Sequence, residues 1–310
     1  AMTSPFGTLA VIAQPAAGDG RVGERLPALR RALAAHDLEY ELSIADARGE
    51  GTQLASSALD QGFRYVVAVG DDATVQDVVN GLFRDGAPIV AEPVLGVVAA
   101  EANNDLLRSF GLPDDVDGGV RHLMGEVTYP FDLMRITCTR PDGERVTRYA
   151  HNLAQVGLGA DVELARRRLP GRLGDRRRRF LGFWRGYVGT RRRVVRVGYD
   201  TKTWEGETFH VVIGNGQFTS GMRLSPRSYP GDGVLDALVF TGQKSDAYTM
   251  MPRIMRHGGH VPDDAIKELR AKIRFSVEAD RPLAVVADGE PFGTTPATFQ
   301  VVAKQILLKL

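Results

Sequence analysis

The 310-residue chain has one cysteine, Cys138. A lone thiol cannot close an internal disulfide or build a multi-cysteine metal site, and its place in an apolar, strand-like run predicts a buried structural residue. Long apolar runs are missing too. None reaches the roughly 18 residues of a membrane-spanning helix, and no basic stretch leads into a short apolar one as in a secretory leader, so a cytoplasmic protein is expected. Ala1-Met2 reads as a cloning remnant ahead of a native methionine. No internal repeat, low-complexity linker or Gly-x-Ser-x-Gly elbow occurs, which leaves a hydrolase of the last type without support. Lysine is absent from residues 1–128, which hold 9 Arg against 19 Asp and Glu, a net −10, whereas the remainder carries +11. An acidic half attracts polyanions poorly unless a metal ion mediates, and a basic half suits an anionic surface.

What is present is ordinary for a globular protein: 43% hydrophobic and 25% charged residues, over a length that suits about two domains. Residues 1–128 alternate short apolar runs (8–14, 38–44, 64–69, 94–99) with helical spacing, as in Val75, Val78, Val79 and Leu82. That order predicts an N-terminal α/β domain with a parallel sheet, whose ligands bind at the carboxyl ends of the strands, after residues 14, 69 and 99. From about Tyr129 the runs become strand-like, with helical stretches only near 175–190 and 243–257. Residues 129–310 are therefore expected to form a C-terminal, mainly antiparallel β domain, with the last strand free to return to the first domain.

Three loops carry the candidate chemistry. Val67–Leu82 reads VAVGDDATVQDVVNGL, Leu95–Pro113 reads LGVVAAEANNDLLRSFGLP, and Gln14–Asp19 reads QPAAGD. Later come Asn152, Gly157 and Ala160; Asn215-Gly216 through Gly221-Met222-Arg223 and Pro226; Asp232-Gly233 and Leu235-Asp236; and Ala287-Asp288-Gly289-Glu290 with Pro296. In this order the motifs resemble the diacylglycerol kinase catalytic family, which includes sphingosine and ceramide kinases and is related in fold to NAD kinases. The resemblance runs along nearly the whole chain. It implies a hydroxyl-bearing lipid or similar apolar molecule bound mainly by the second domain, in a cleft between the two. It also implies Mg and ATP as cofactors if the protein is active. Asp288 would be the residue that takes the acceptor hydroxyl's proton, with Asp72 and Asp105 holding metal or water. Gly70, Thr74, Asn80, Asn104 and Gly18 match cofactor-binding positions. If Asp288 is only a general base, Asp288→Asn should remove activity and leave stability nearly unchanged.

The sequence departs from the family at the phosphate loops. Asp71 and Ala73 replace two glycines, Glu101, Ala102 and Asn103 replace Gly, Thr and Gly, and Asp19 replaces Lys. Glycines serve there because backbone N–H groups must approach phosphate oxygens closely. A carboxylate about 4 Å from a phosphate charge repels it by about 4 kcal/mol at an effective dielectric near 20. Magnesium could offset that. In the second half, Arg227 and Gly231 stand where the family usually carries acids, so no metal site is expected there. Asp72 and Asp105 also have a plain structural reading as helix caps.

Other signals are weaker. Gly18-x-Gly20-x-x-Gly23 fits a dinucleotide fingerprint, but the turn after the strand is not tight, and an ordinary glycine-rich loop reads better. His257-Gly258-Gly259-His260 lacks a third ligand and reads as a turn. Arg166–Arg196 contains 13 arginines and one acid, Asp175, interleaved with Phe180, Phe183, Trp184 and Tyr187. Two readings stand: a helix on an anionic membrane, giving peripheral attachment at the inner face, or a solvated basic face whose aromatics pack inward. No nucleic-acid motif occurs and nucleic acid is not an expected partner.

Two functions follow: a diverged lipid-kinase relative that binds an apolar, hydroxyl-bearing ligand with weak or lost ATP transfer, or an active ATP- and Mg-dependent diacylglycerol- or sphingosine-type kinase. Returning Asp71 and Ala73 to Gly, and Glu101-Ala102-Asn103 to Gly-Thr-Gly, is expected to raise ATP affinity by calorimetry. No gain would mean that the surrounding site has also been rebuilt.

Overall fold

The computed structural model describes residues 4–99, 104–140, 142–255 and 258–310, with the backbone alone for Asp19 and Asp175. The chain divides into two units, Ala1–Leu133 with Val302–Leu310, and Met134–Val301. As the sequence implies, the fold is α/β, with a parallel-sheet first unit and an antiparallel β-rich second one.

In the first unit the strands run in the order Val94–Val98, Tyr65–Val69, Leu9–Ala13, Tyr40–Ile44, all parallel. Leu307 and Leu308, near the chain's end, pair parallel with Val94 and Leu95. The first three strands are buried at every position, which is why they appear in the sequence as unbroken apolar runs without alternation. Helices Arg21–Ala35, Glu50–Asp60, Asp72–Gly81, Asp105–Phe110 and Val116–His122 complete this unit. A side chain at Gly81 would meet the Thr52 carbonyl at 2.3 Å, so this glycine sets how closely helices Glu50–Asp60 and Asp72–Gly81 approach.

The second unit is antiparallel. Strand His210–Gly214 lies between Leu235–Phe240 and Leu153–Gly157, and Ala284–Ala287 continues the sheet beyond Leu153–Gly157. Arg193–Tyr199 pairs with Lys202–Thr208 on one side and Arg274–Ala279 on the other. An apolar core including Met134, Ile136, Val211, Val239, Phe275 and Phe299 lies in this unit, and a second one gathers Leu153, Leu158, Phe209, Phe240 and Ile254. Cys138 belongs to the first, and burial pushes its thiol up, away from the reactive thiolate.

Helix Asp175–Gly189 carries the arginines and aromatics and packs on helix Leu158–Arg167. The contact works through Gly182 and Gly186. Side chains there would meet the backbone of Arg166 at 2.9 Å and of Val162 at 2.5 Å, so the two helices approach backbone to backbone. Among the described residues no helix is long and apolar enough to cross a membrane. Gly186→Ala is expected to lower stability by about 1–3 kcal/mol, because the neighbour it strikes is main chain and cannot step aside. Urea unfolding checks this, and an unchanged midpoint would contradict the packing.

Candidate functional site

In the first unit the strand ends bring most of the sequence candidates together. Strand Tyr65–Val69 ends at Gly70, where a side chain would lie 2.3 Å from the Thr74 hydroxyl, so only glycine fits this approach. Asp71 is the N-cap of helix Asp72–Gly81, and its carboxylate accepts from the Thr74 amide at 3.0 Å. The Thr74 hydroxyl lies 3.0 Å from that carboxylate and 3.1 Å from Gln14 Oε1. Asp72 turns the other way. Its two oxygens accept from the amide of Asp105 at 3.1 Å each, and one accepts from Leu106 at 3.4 Å. Asn104 caps helix Asp105–Phe110 through Leu107 N at 3.0 Å, and its amide reaches the Gly70 carbonyl at 3.5 Å. Asp105 is buried, with Arg108 Nε 3.7 Å away.

Gly70, Asp72, Asn104 and Asp105 thus form a knot of hydrogen bonds between the two loops, and Thr74 adjoins it through its own bonds to Asp71 and Gln14. Asn80 stands apart. It lies eight residues on from Asp72, about 12 Å along the helix axis, and its amide donates to the Gln76 carbonyl. Gly18 lies in a short 3-10 turn, Ala17–Gly20, at φ 62°, and its carbonyl accepts from Arg21 Nε at 2.7 Å. The expectations placed on Glu101, Ala102 and Asn103, and on the Asp19 side chain, lie outside the described residues, as does His257. His260 is buried, its Nε2 at 3.0 Å from the Leu224 carbonyl.

In the second unit Asp288 sits at φ 49°, a left-handed position, with its side chain wholly buried. One oxygen accepts from the His151 amide at 2.8 Å and lies 3.0 Å from His151 Nδ1. The other accepts from Asn152 and Leu153 amides at 3.1 and 3.0 Å. Burial pushes this carboxyl up, but the charge and hydrogen bonds of His151, with the backbone amides, outweigh it and hold it below its ordinary value. The carboxylate therefore fastens the start of strand Leu153–Gly157, a geometry that leads to the opposite expectation for the stability of Asp288→Asn. Beside it, Glu290 pairs with Arg167 at 2.6 Å, and Arg167 and Arg166 both grip Glu163. Two arginines of the 166–196 stretch are thus committed inside the unit. His151, Arg167 and Glu163 were not found by motif; only the position of His151 next to Asn152 pointed toward it.

The turn around Asp232 is organised by arginine. Arg270 reaches Asp232 at 3.2 Å and Asp236 at 2.8 Å, and Arg227 pairs with Glu268 at 2.7 Å. Burial raises Asp236 to about 6 despite the pull of Arg270. No group of metal-holding residues occurs among the described residues.

The second unit also contains an apolar cavity of about 140 Å³. Its apolar lining includes Leu158, Phe183, Phe209 and Phe240, its polar lining is Gln155, Glu163, His210, Thr219 and Ser220, and Gly289 also lines it. Gly289 adjoins Asp288 in sequence, so the cavity and the fastened carboxylate belong to one region of this unit.

Comparison with known proteins places both units. Residues 8–136 match the diacylglycerol kinase catalytic domain, and residues 184–309 match the YegS C-terminal NAD kinase beta sandwich-like domain. A diacylglycerol kinase of Bacillus subtilis (strain 168) is 25% identical over 253 residues, covering 81% of this chain and 79% of that protein. One from Staphylococcus haemolyticus (strain JCSC1435) is 24% identical over 300 residues, covering 96% and 86%. In fold, the crystal structure of a diacylglycerol kinase from Bacillus anthracis str. Sterne superposes with a TM-score of 0.72 at 18% identity, over 99% of this chain and 98% of that one. Yeast NADH kinase complexed with NADH gives 0.52 at 9% identity, over 97% and 82%.

Asp288→Asn is expected to cost about 2–4 kcal/mol at neutral pH, since an amide nitrogen would face donors that now meet an oxygen. The sign with pH is fixed by the lowered carboxyl. Its contribution is complete above the ordinary value of 3.8 and fades as pH falls through the lower folded-state value. Urea unfolding of both proteins from pH 7 to 3 should show the gap narrowing in acid. Equal stability at pH 7 would contradict the fastening role.

Proposed function

The chain belongs to the diacylglycerol-kinase-like lipid kinase family, and on that premise we propose that it binds an apolar, hydroxyl-bearing molecule in its second unit while conventional ATP transfer is weak or lost. The observation that carries the reading is the Asp71 cap. A helix amino terminus offers unpaired amides and a partial positive charge, which favour an anion. At helix Asp72–Gly81 the chain's own carboxylate takes the Thr74 amide and engages its hydroxyl. An arriving phosphate would have to displace that carboxylate or sit beside its charge. The second support is the apolar cavity, whose lining suits a hydrocarbon segment.

An active kinase is the second reading, favoured by the intact knot of Asp72, Asn104 and Asp105. In that case Asp72 and Asp105 would act by positioning the loop and any bound magnesium. Asp288, already accepting four hydrogen bonds or ionic contacts, would act by fixing the backbone around it and not by taking a proton. The readings separate when 1,2-dioctanoylglycerol is presented with magnesium and γ-labelled ATP. Measurable binding of the lipid with label transfer at background supports the first. Multiple turnovers would overturn it.

Membrane attachment through the arginine-rich segment is part of the same proposal. On helix Asp175–Gly189, Phe183 and Tyr187 pack with Tyr248, the last at 4.6 Å between Tyr187 and Tyr248 ring centroids. Phe180, Leu181, Trp184 and Val188 remain exposed among exposed Arg176, Arg177, Arg179 and Arg185. The segment thus divides its aromatics between packing and solvent. Apolar side chains ringed by arginines suit the headgroup boundary of an anionic bilayer, at about 1 kcal/mol per basic residue. Sedimentation with phosphatidylserine-containing vesicles should capture the protein, and added salt should release it. Equal binding to neutral vesicles, or none to either, would contradict this surface.

A further inference from the structure

We infer that His210, with the Gln155 carboxamide beside it, recognises the hydroxyl of an apolar alcohol entering the second unit's cavity; this rests on the reading that the cavity is the ligand site. His210 opens strand His210–Gly214, placed between Gly157 and Phe240 on the neighbouring strands. Its backbone is already engaged: its amide donates to the Thr208 hydroxyl at 3.2 Å, and its carbonyl accepts from that hydroxyl at 3.0 Å. One ring face stacks on Phe240 at 5.0 Å and 20°. The residue is 7% exposed, and Nε2 has no hydrogen-bond partner.

A buried ring nitrogen without a partner is costly, and such groups in folded proteins are nearly always satisfied. The residue beside this one is a glycine, and the Gln155 carboxamide takes the place that a side chain there would fill. A side chain built at Gly159 would lie 2.8 Å from His210 Nε2 and 1.8 Å from Gln155 Oε1. The missing side chain therefore lets two polar groups converge on one small volume at the wall of an apolar cavity. Thr219 adds a hydroxyl 3.5 Å from the Gln155 amide.

The chemistry of the pair selects the ligand class. Burial lowers His210 to about 3, so at neutral pH the ring is uncharged and offers one donor and one acceptor. The carboxamide is neutral as well. Glu163, which also lines the cavity, is held by Arg166 and Arg167. An anionic headgroup would find no free positive charge at this point, whereas a hydroxyl can both donate and accept. The volume, about 140 Å³, is close to that of the engineered cavity of about 150 Å³ that holds benzene. It takes a short hydrocarbon segment ending in a hydroxyl.

Octan-1-ol and methyl heptyl ether, of equal heavy-atom count, form the test pair for titration calorimetry. The unmodified protein should prefer the alcohol. His210→Phe keeps the stack on Phe240 and removes the nitrogens; it should bind the alcohol about tenfold less tightly, the worth of one hydrogen bond of about 1.4 kcal/mol, and lose the preference. Because that variant could misfold, the His210 side-chain ¹⁵N resonances of the unmodified protein give an independent readout. They should shift with the alcohol and not with the ether. An unshifted nitrogen, or full preference in His210→Phe, overturns the His210 assignment and leaves the cavity reading standing. Failure of the unmodified protein to bind either compound overturns both.

Discussion

A helix cannot begin in a protein interior without acceptors for its first amides. In the first unit that requirement is met from within the chain. Asp71 caps the helix it opens, Asp72 reaches across to the amides of Asp105 and Leu106, and Asn104 caps the second helix while touching the Gly70 carbonyl. Asp72 and Asn104 both serve the start of helix Asp105–Phe110, one from each loop, so the two loops after strands Tyr65–Val69 and Val94–Val98 are tied together. The same amides are the groups with which a phosphate-binding loop holds its ligand. On the proposed reading, the Asp71 carboxylate that satisfies one of them stabilises the fold and would oppose an incoming anion.

The second unit follows a similar economy with the opposite consequence. Asp288 and Glu290 are both engaged, the first by His151 and three amides, the second by Arg167. Arg270 joins Asp232 to Asp236. At the apolar cavity, the buried ring nitrogen Nε2 of the neutral His210 has no hydrogen-bond partner. Under the proposed function, a site built this way would favour a hydroxyl with a hydrocarbon tail over a phosphate.

The fold was legible wherever burial wrote a pattern. Strands Leu9–Ala13, Tyr65–Val69 and Val94–Val98 are buried on both faces and read as apolar runs. Strand Lys202–Thr208 did not, because it pairs only with Arg193–Tyr199 and most of its residues face solvent, so KTWEGET shows no apolar face. Motif order identified Asp72, Asp105 and Asp288 but could not say what they touch. The partner of Asp288 lies 137 residues away at His151, and local sequence carries no signal for such a contact. Gly182 and Gly186 were hidden among arginines, although their four-residue spacing marks a close helix contact. Asn80 matched a motif because it ends the helix that the motif spans, yet it lies at the far end from the knot.

The account turns on whether the carboxylate at Asp71 and its neighbours have closed the first unit to nucleotide. Titration of magnesium–ATP into the unmodified protein measures this directly. The expected dissociation constant is at or above roughly 1 mM, about −4 kcal/mol of binding. Micromolar binding would contradict it, because a phosphate would then be accommodated beside a carboxylate that is already holding the helix start.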